Sequence, residues 1–499
     1  MIQAMTDPIV QTESGPVRGL SQAGVSRFLG IPYAAAPEGD LRFAAPARHP
    51  GWSEPRDATQ WGPAAPYRLA EFPALDIDPL VGHRGRIGGD YLNLNVWTPA
   101  VGASGLPVMV FIHGGAWVGG SGGSPVHDGA TFARDGIVCI TINYRVSVEG
   151  FMAIPGAPTN LGLRDMLAAL KWVQANIAAF GGDAANVTVF GESAGAMSIA
   201  DLVTSPLAAG LFRRAIIQSG HGSMTRSIPI AERAMRKVAR ILGVAPTLAG
   251  FRSTTTDQML DAVAKVQAPG SGLDMRDGTG RDVTYGLSKF SPVHGDDVLP
   301  MPPLEALRAG AGRDIDILIG TNADEMNLYF VPTGVQRKLG RLLSWFILGK
   351  VEPKSGRLLK AYRHHGERAG VTFTRVLSDL VFRWPARVFA GAHRGRTHVY
   401  ELGWRSTACN GELGAAHGID VPFVFDRLDL VSGERGLLGE RPPQDLADHI
   451  HRVWVDFARD GILPWAEYAD DDRQVYELET RRTRVETEAD FPVAPYWAL

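Results

Sequence analysis

The sequence predicts an α/β protein built on a large, mostly parallel central sheet flanked by helices. Three observations point there. Short β-branched apolar runs alternate with stretches of helical spacing. The runs are continuous rather than alternating polar and apolar, as strands covered on both faces require. Glycine and proline are frequent, 58 and 33 in 499 residues, and they punctuate the runs as ordered loops do.

Residues 107–113 (PVMVFIH) and 136–143 (GIVCITIN) read as buried strands, flanked by Gly or Pro. Residues 160–180 place Leu163, Met166, Leu167, Leu170, Val173 and Ile177 at helical spacing. Residues 186–190 (NVTVF) form the next strand, and a helix restarts over 194–203. Later strands are predicted at 214–218 (RAIIQ), 314–320 (DIDILIG) and 397–402 (THVYEL). An amphipathic helix over 445–460 is stopped by Gly461. Residues 61–90, rich in Pro and Gly, are expected to form a long surface loop, and such loops often line sites. Residues 224–290 and 330–390 carry helical patterns with little strand signal. They are expected as insertions covering one end of the sheet, within one domain spanning residues 1–499.

Composition excludes several classes. Fifty Lys+Arg against 53 Asp+Glu give a net charge of −3, which predicts no nucleic-acid footprint and no polybasic face for anionic lipid. A hydrophobic share of 45% with 21% charged residues excludes a largely disordered chain. No apolar run approaches the ~18 residues of a membrane span, and the first 15 residues lack a leader pattern. Cys139 and Cys409 cannot build a disulfide framework, and Cys139 reads as a buried strand residue. A cytoplasmic protein is expected, with no membrane contact, no nucleic acid and no obligate protein partner. Without H-E-x-x-H, Cys-x-x-Cys or a dinucleotide or P-loop fingerprint, neither a metal nor a cofactor is expected.

Two motifs carry chemistry. Gly191-Glu192-Ser193-Ala194-Gly195 joins a strand to a helix, the context in which a G-x-S-x-G turn presents a serine nucleophile above the strand ends. Gly119–Gly123 also fits the pattern, but neither strand nor helix frames it, so Ser121 reads as a flexible-loop serine. His113-Gly114-Gly115-Ala116 follows a strand directly. Such a small-residue loop lets backbone N–H groups stabilise the oxyanion of acyl transfer, here those of Gly115 and Ala116 with Ala194. The order Ser, acid, His then places the acid at Asp324 or Glu325, which spacing alone does not separate. It places the base at His417, past the next strand; His449 and His451 fall on a helix, and His364 and His365 on a solvated basic stretch. Trp117, Phe423 and Phe425 stand beside these motifs as possible pocket lining, or as ordinary core aromatics.

Residues 15–19 (GPVRG), 30–34 (GIPYA), 91–99 (YLNLNVWTP), 180–195 (FGGDAANVTVFGESAG), 212–220 (FRRAIIQSG), 320–325 (GTNADE) and 416–425 (AHGIDVPFVF) together resemble the type-B carboxylesterase family. The resemblance covers most of the chain and is greatest to the bacterial para-nitrobenzyl esterase branch. It implies an α/β-hydrolase fold with insertions capping an active-site gorge. It also implies a serine carboxylesterase acting through Ser193, His417 and Glu325, with Ser219 supporting the triad. Carbamate, amide or lactone hydrolysis by the same triad, or a silent binding module, are the alternatives. Departures from the family pattern are Ala116 for the third glycine and Ser147 for a glycine after NYR-x. Gly89-Asp90-Tyr91 replaces the Glu-Asp-Cys of secreted members, which removes a disulfide and the acid expected to pair with Arg42. No Trp lies between Trp61 and Trp97, so choline ester specificity is not expected.

Overall fold

The structure is a computed structural model that describes residues 7–68, 71–268, 270–469 and 471–497. Residues 1–6, part of the stretch read for a leader, lie outside it, as do 69–70 and 269 within two of the expected insertions. Eleven strands form the main sheet: β1 (Leu20–Gln22), β2 (Val25–Pro32), β3 (Asn93–Thr98), β4 (Leu106–Ile112), β5 (Val138–Ile142), β6 (Gly182–Glu192), β7 (Arg214–Gln218), β8 (Asp316–Asn322), β9 (Thr397–Leu402), β10 (Gln474–Glu477) and β11 (Arg482–Val485). Their spatial order is β11-β10-β9-β8-β7-β6-β4-β5-β3-β2-β1. Pairing is parallel from β5 through β10 and antiparallel at both edges. A separate small sheet joins Ile9–Thr12, Gly15–Arg18 and Arg56–Asp57.

The helices that matter below are α1 (Asp78–Val81), α2 (Leu161–Asn176), α3 (Ala194–Thr204), α4 (Arg341–Gly349), α5 (Ser355–Ala361), α6 (Ala369–Ser378) and α7 (Gln444–Asp460). Every residue of β3, β5, β7 and β9 is buried. That covering on both faces explains why β5, β7 and β9 could be read as buried strands. One core lies on the α2 and α3 side of the sheet; the other lies under α7, where Phe111, Phe132, Phe190 and Phe425 stack on one another. Among the described residues no helix is long and apolar enough to cross a membrane. Both Cys139, buried in β5, and Cys409 are free thiols.

Two polar features bear on the regions beside the site. Arg145 and Asp165 form a fully buried pair, with Nη2 2.6 Å from Oδ1 and Nε donating to Oδ2 at 2.8 Å. Arg42 finds a substitute acid: its Nε lies 3.0 Å from Glu149 Oε1, and Tyr91 Oη donates to the other oxygen at 2.7 Å. The acid absent from the strand approach at residue 89 is thus supplied by the short helix Ser147–Phe151. At the start of that helix Ser147 takes a left-handed φ of 56°. Its N–H donates to Trp117 O at 2.5 Å, while its hydroxyl is buried without a partner among the described residues. A β-carbon disfavours that backbone geometry, which glycine adopts at little cost.

Two stability effects follow. Asp165→Ala is expected to cost about 3–5 kcal/mol in denaturant unfolding, because it strands the Arg145 guanidinium. Ser147→Gly is expected to raise the unfolding midpoint by about 1 kcal/mol equivalent with an unchanged m-value, by relieving the left-handed backbone and removing an unpartnered hydroxyl.

Candidate active site

The parallel register pairs Ile112 of β4 with Gly191 of β6, so the loops leaving these strands begin side by side. Ser193 follows β6 at φ 55°, ψ −125°, a strained conformation outside the common regions, and α3 starts at the next residue. The Ser193 N–H donates to Gln218 O of β7 at 2.9 Å, and its carbonyl accepts from Met197 N at 2.8 Å. Gly195 has no room for a side chain, since a β-carbon there would collide with the carbonyl oxygens of Ile112 and His113.

The 113–116 loop turns through three consecutive positive φ values, 108° at Gly115, 54° at Ala116 and 59° at Trp117. His113 pins its start: the ring stacks on Tyr144 at 4.3 Å, and Nδ1 lies 2.8 Å from Gly114 O. Burial lowers the His113 pKa to about 4, so the ring is neutral. Trp117 is buried and donates through Nε1 to Ser198 Oγ at 3.0 Å, tying the loop to α3. Among the described residues no acceptor takes the N–H groups of Gly115 and Ala116. That of Ala194, at the first position of α3, has no partner within the helix.

Glu325 lies just past β8 and is fully buried. Its Oε1 accepts from Ser219 Oγ at 2.6 Å and from Asn322 N at 2.8 Å, while Oε2 lies 2.6 Å from His417 Nδ1. Asp324 instead lies outside, paired with Arg405 at 2.5 Å. The His417 N–H donates to Glu325 O at 3.1 Å, locking the two loops together. His417 Nε2 lies 3.0 Å from Glu192 Oε1, close enough for an ion pair but misaligned for a hydrogen bond. Ser193 Oγ has no hydrogen-bonding partner, His417 included, among the described residues.

Glu192 was not singled out by the motif, in which its position accepts any residue, yet it governs the local electrostatics. Burial pushes its pKa up to about 8, opposed by His417 and reinforced by Asp420 and Glu325. Burial alone would lower His417, but Glu192 and Glu325 outweigh it and hold the imidazolium to about pH 9. Asp420 completes the cluster. It is fully buried, raised by desolvation, and accepts from Gln218 Nε2 at 2.8 Å and Asn322 Nδ2 at 3.2 Å.

Two aromatic rings flank His417: Phe382 at 4.5 Å and Tyr329 at 5.7 Å. Phe382 sits on a π-helical turn, Asp379–Arg383, that continues α6. Neither ring carried a local sequence signal. Phe423 and Phe425, expected as possible lining, face the core instead. Phe423 packs on Trp404 at 5.1 Å, and Phe425 lies among Phe111, Phe132 and Phe190, because the short helix Val421–Val424 turns both under the sheet. Ser121 is buried rather than flexible, with Oγ donating to Asn143 Oδ1 at 3.1 Å and accepting from Gly123 N.

The model of the carboxylesterase family matches residues 6–492. The chain belongs to the carboxylesterase family. It is 34% identical to the para-nitrobenzyl esterase of Bacillus subtilis, over 96% of each chain. It is 32% identical to the phenmedipham hydrolase of Pseudarthrobacter oxydans, over 94% of this chain and 95% of that one. Among solved structures, the Geobacillus stearothermophilus carboxylesterase superposes with a TM-score of 0.83 at 32% identity, covering 98% of this chain and all of the other. The fold is therefore the α/β-hydrolase fold, and this carboxylesterase hydrolyses carboxylic esters.

The Glu192 carboxylate favours the protonated form of His417, whereas a general base must be neutral. For a general base at His417, activity is expected to appear as pH rises through its titration and to be lost as pH falls through it. Glu192→Gln is expected to move the acid limb of kcat/KM down by about one unit or more in a p-nitrophenyl ester assay. An unmoved limb would remove Glu192 from this role.

Proposed function

We propose that this carboxylesterase acts through a triad of Ser193, His417 and Glu325. The observation that carries the proposal is the convergence of a strained serine at the strand–helix turn with a buried His–Glu pair at the same end of the sheet. Ser193 Oγ attacks the ester carbonyl and passes its proton to His417 Nε2, which turns from Glu192 to receive it. Glu325 holds the ring through Nδ1 and stabilises the imidazolium. The N–H groups of Gly115, Ala116 and Ala194 take the oxyanion. His417 then protonates the leaving alcohol, and water, activated by the same ring, releases the acid from Ser193. Ser219 orients Glu325 by donating to the oxygen that His417 does not use.

Two of the three insertions touch these residues. Leu80 of α1, in the 61–90 segment, packs over Gly418 next to His417, and Tyr67 of the same segment lies against Gly119. Phe382 comes from the 330–390 segment. We assign Leu80 and Tyr67 of the first segment and Phe382 of the second to the wall of a substrate gorge within a single domain. The 224–290 segment, also expected there, packs its helix Thr256–Gln267 against Ser147–Phe151. Two free thiols fit a cytoplasmic setting.

Ser193→Ala is expected to lower kcat/KM for p-nitrophenyl esters by about 10⁴-fold or more, with an unchanged circular-dichroism spectrum. Wild-type-like turnover would overturn the triad. Labelling of wild type by an organophosphate at residue 193 separates an enzyme from a silent module of the same fold. Because one relative is a phenmedipham hydrolase, aryl carbamates belong beside an acyl-length series of esters in the substrate test.

A further inference from the structure

The outer face of α4 reverses the usual pattern of a surface helix. Ser344 and Leu348 face inward, while Leu342, Leu343, Trp345 and Phe346 stand 81%, 47%, 54% and 54% exposed. Clusters of large exposed apolar side chains on a soluble fold mark contact surfaces. The charge around this one is distinctive. Residues 335–368 contain nine Lys/Arg and two Glu, in a chain whose net charge is −3. Both acids are already engaged, Glu352 with Arg281 and Glu367 with Arg375. Arg337 and Arg368 share Glu412, and Lys350 lies over the Phe346 ring at 4.5 Å. Among the described residues, Lys338, Arg341, Arg357, Lys360 and Arg363 have no carboxylate partner. Arg341, Lys360 and Arg363 line a cavity of about 310 Å³ between α4, α5 and α6, with Trp345 in its wall.

We propose that this face docks the enzyme peripherally on anionic phospholipid bilayers. Leu342, Leu343, Trp345 and Phe346 enter the headgroup boundary, and Arg341, Lys360 and Arg363 receive lipid phosphates. Apolar side chains ringed by unpaired cations match a surface that is hydrocarbon beneath and negatively charged above. A second copy of the chain is the poorer fit, because a face-to-face pair would oppose two sets of the same unpaired cations. Nucleic acid would leave Leu342 and Leu343 without a partner. The balanced total charge, which predicted no polybasic face, averages this surface away. Docking would present the 330–390 segment, whose Phe382 lies on His417, to esters dissolved in the bilayer.

The test is co-sedimentation of the full chain with phosphatidylcholine vesicles, with and without about 30 mol % phosphatidylglycerol. Binding to the anionic vesicles is expected to be about tenfold stronger or more, and weakened by high salt. Two variants, Leu342→Ser/Trp345→Ser and Arg341→Gln/Lys360→Gln/Arg363→Gln, should each lose it while keeping wild-type turnover of a soluble ester. That readout separates failure of docking from failure of the esterase mechanism. Equal binding to both vesicle types would overturn the proposal, as would no binding to either. Loss of a dimer in the Leu342→Ser/Trp345→Ser variant without vesicle binding would assign the face to a second copy.

Discussion

The close approach of the end of β4 to the turn after β6 is the constraint on which the candidate site depends. A β-carbon at Gly114 would lie 2.6 Å from Glu192 Oε2, and one at Gly191 would lie 2.5 Å from Ile112 O. Only backbone fits between these segments. The serine turn and the 113–116 loop are therefore held against one another by close contact, which leaves little freedom for either to drift. The tension in the Ser193 backbone is supported from the third side by β7, through the bond to Gln218 O. Preorganisation of this kind is what an oxyanion site requires, since donors that must reorganise during the reaction lose most of their benefit.

Around this frame the protein buries three carboxylates, Glu192, Glu325 and Asp420, against one imidazole. Their partners differ. Glu325 receives a hydroxyl, a backbone N–H and the histidine, and Asp420 receives two amides. Among the described residues, Glu192 Oε1 has no hydrogen-bond partner and only the misaligned His417 as an ion-pair neighbour. The least satisfied acid thus lies next to His417. A buried charge without a full set of donors exerts a strong local field, and here that field points at the imidazole.

Most of the frame was legible because it is written in local patterns. The central strands are covered on both faces, so their apolar runs matched the observed strands within a few residues, with 214–218 and 397–402 coinciding. The serine turn and the 113–116 loop were readable because close backbone approach demands small residues there. Other features are tertiary and leave no local mark. Asp324 and Glu325 are neighbours of one charge type, and only the burial of one and the pairing of the other with Arg405 separate them. The acid for Arg42 arrives from Glu149, more than 100 positions away. Phe423 and Phe425 lay close to His417 in sequence but turn into the core. Phe382 and Tyr329 come from segments with no strand pattern to orient them. The charge concentrated around α4 was invisible to a whole-chain sum.

The π-helical turn at 379–383 constrains insertions and deletions. Such a turn carries one residue more than an ordinary helical turn, equivalent to a rotation of about 100° for everything downstream. Immediately beyond it, Arg387 reaches Glu401 at 3.0 Å and Glu486 at 2.8 Å, while Arg383 bonds Asp379 and Glu401. A single-codon deletion that restored regular helix would swing those guanidiniums away from Glu401 and Glu486 and carry the phenyl ring away from the imidazole in the same motion. A substitution at 382 leaves that register intact, whereas an insertion or deletion across the turn moves the ion-pair network and the ring together.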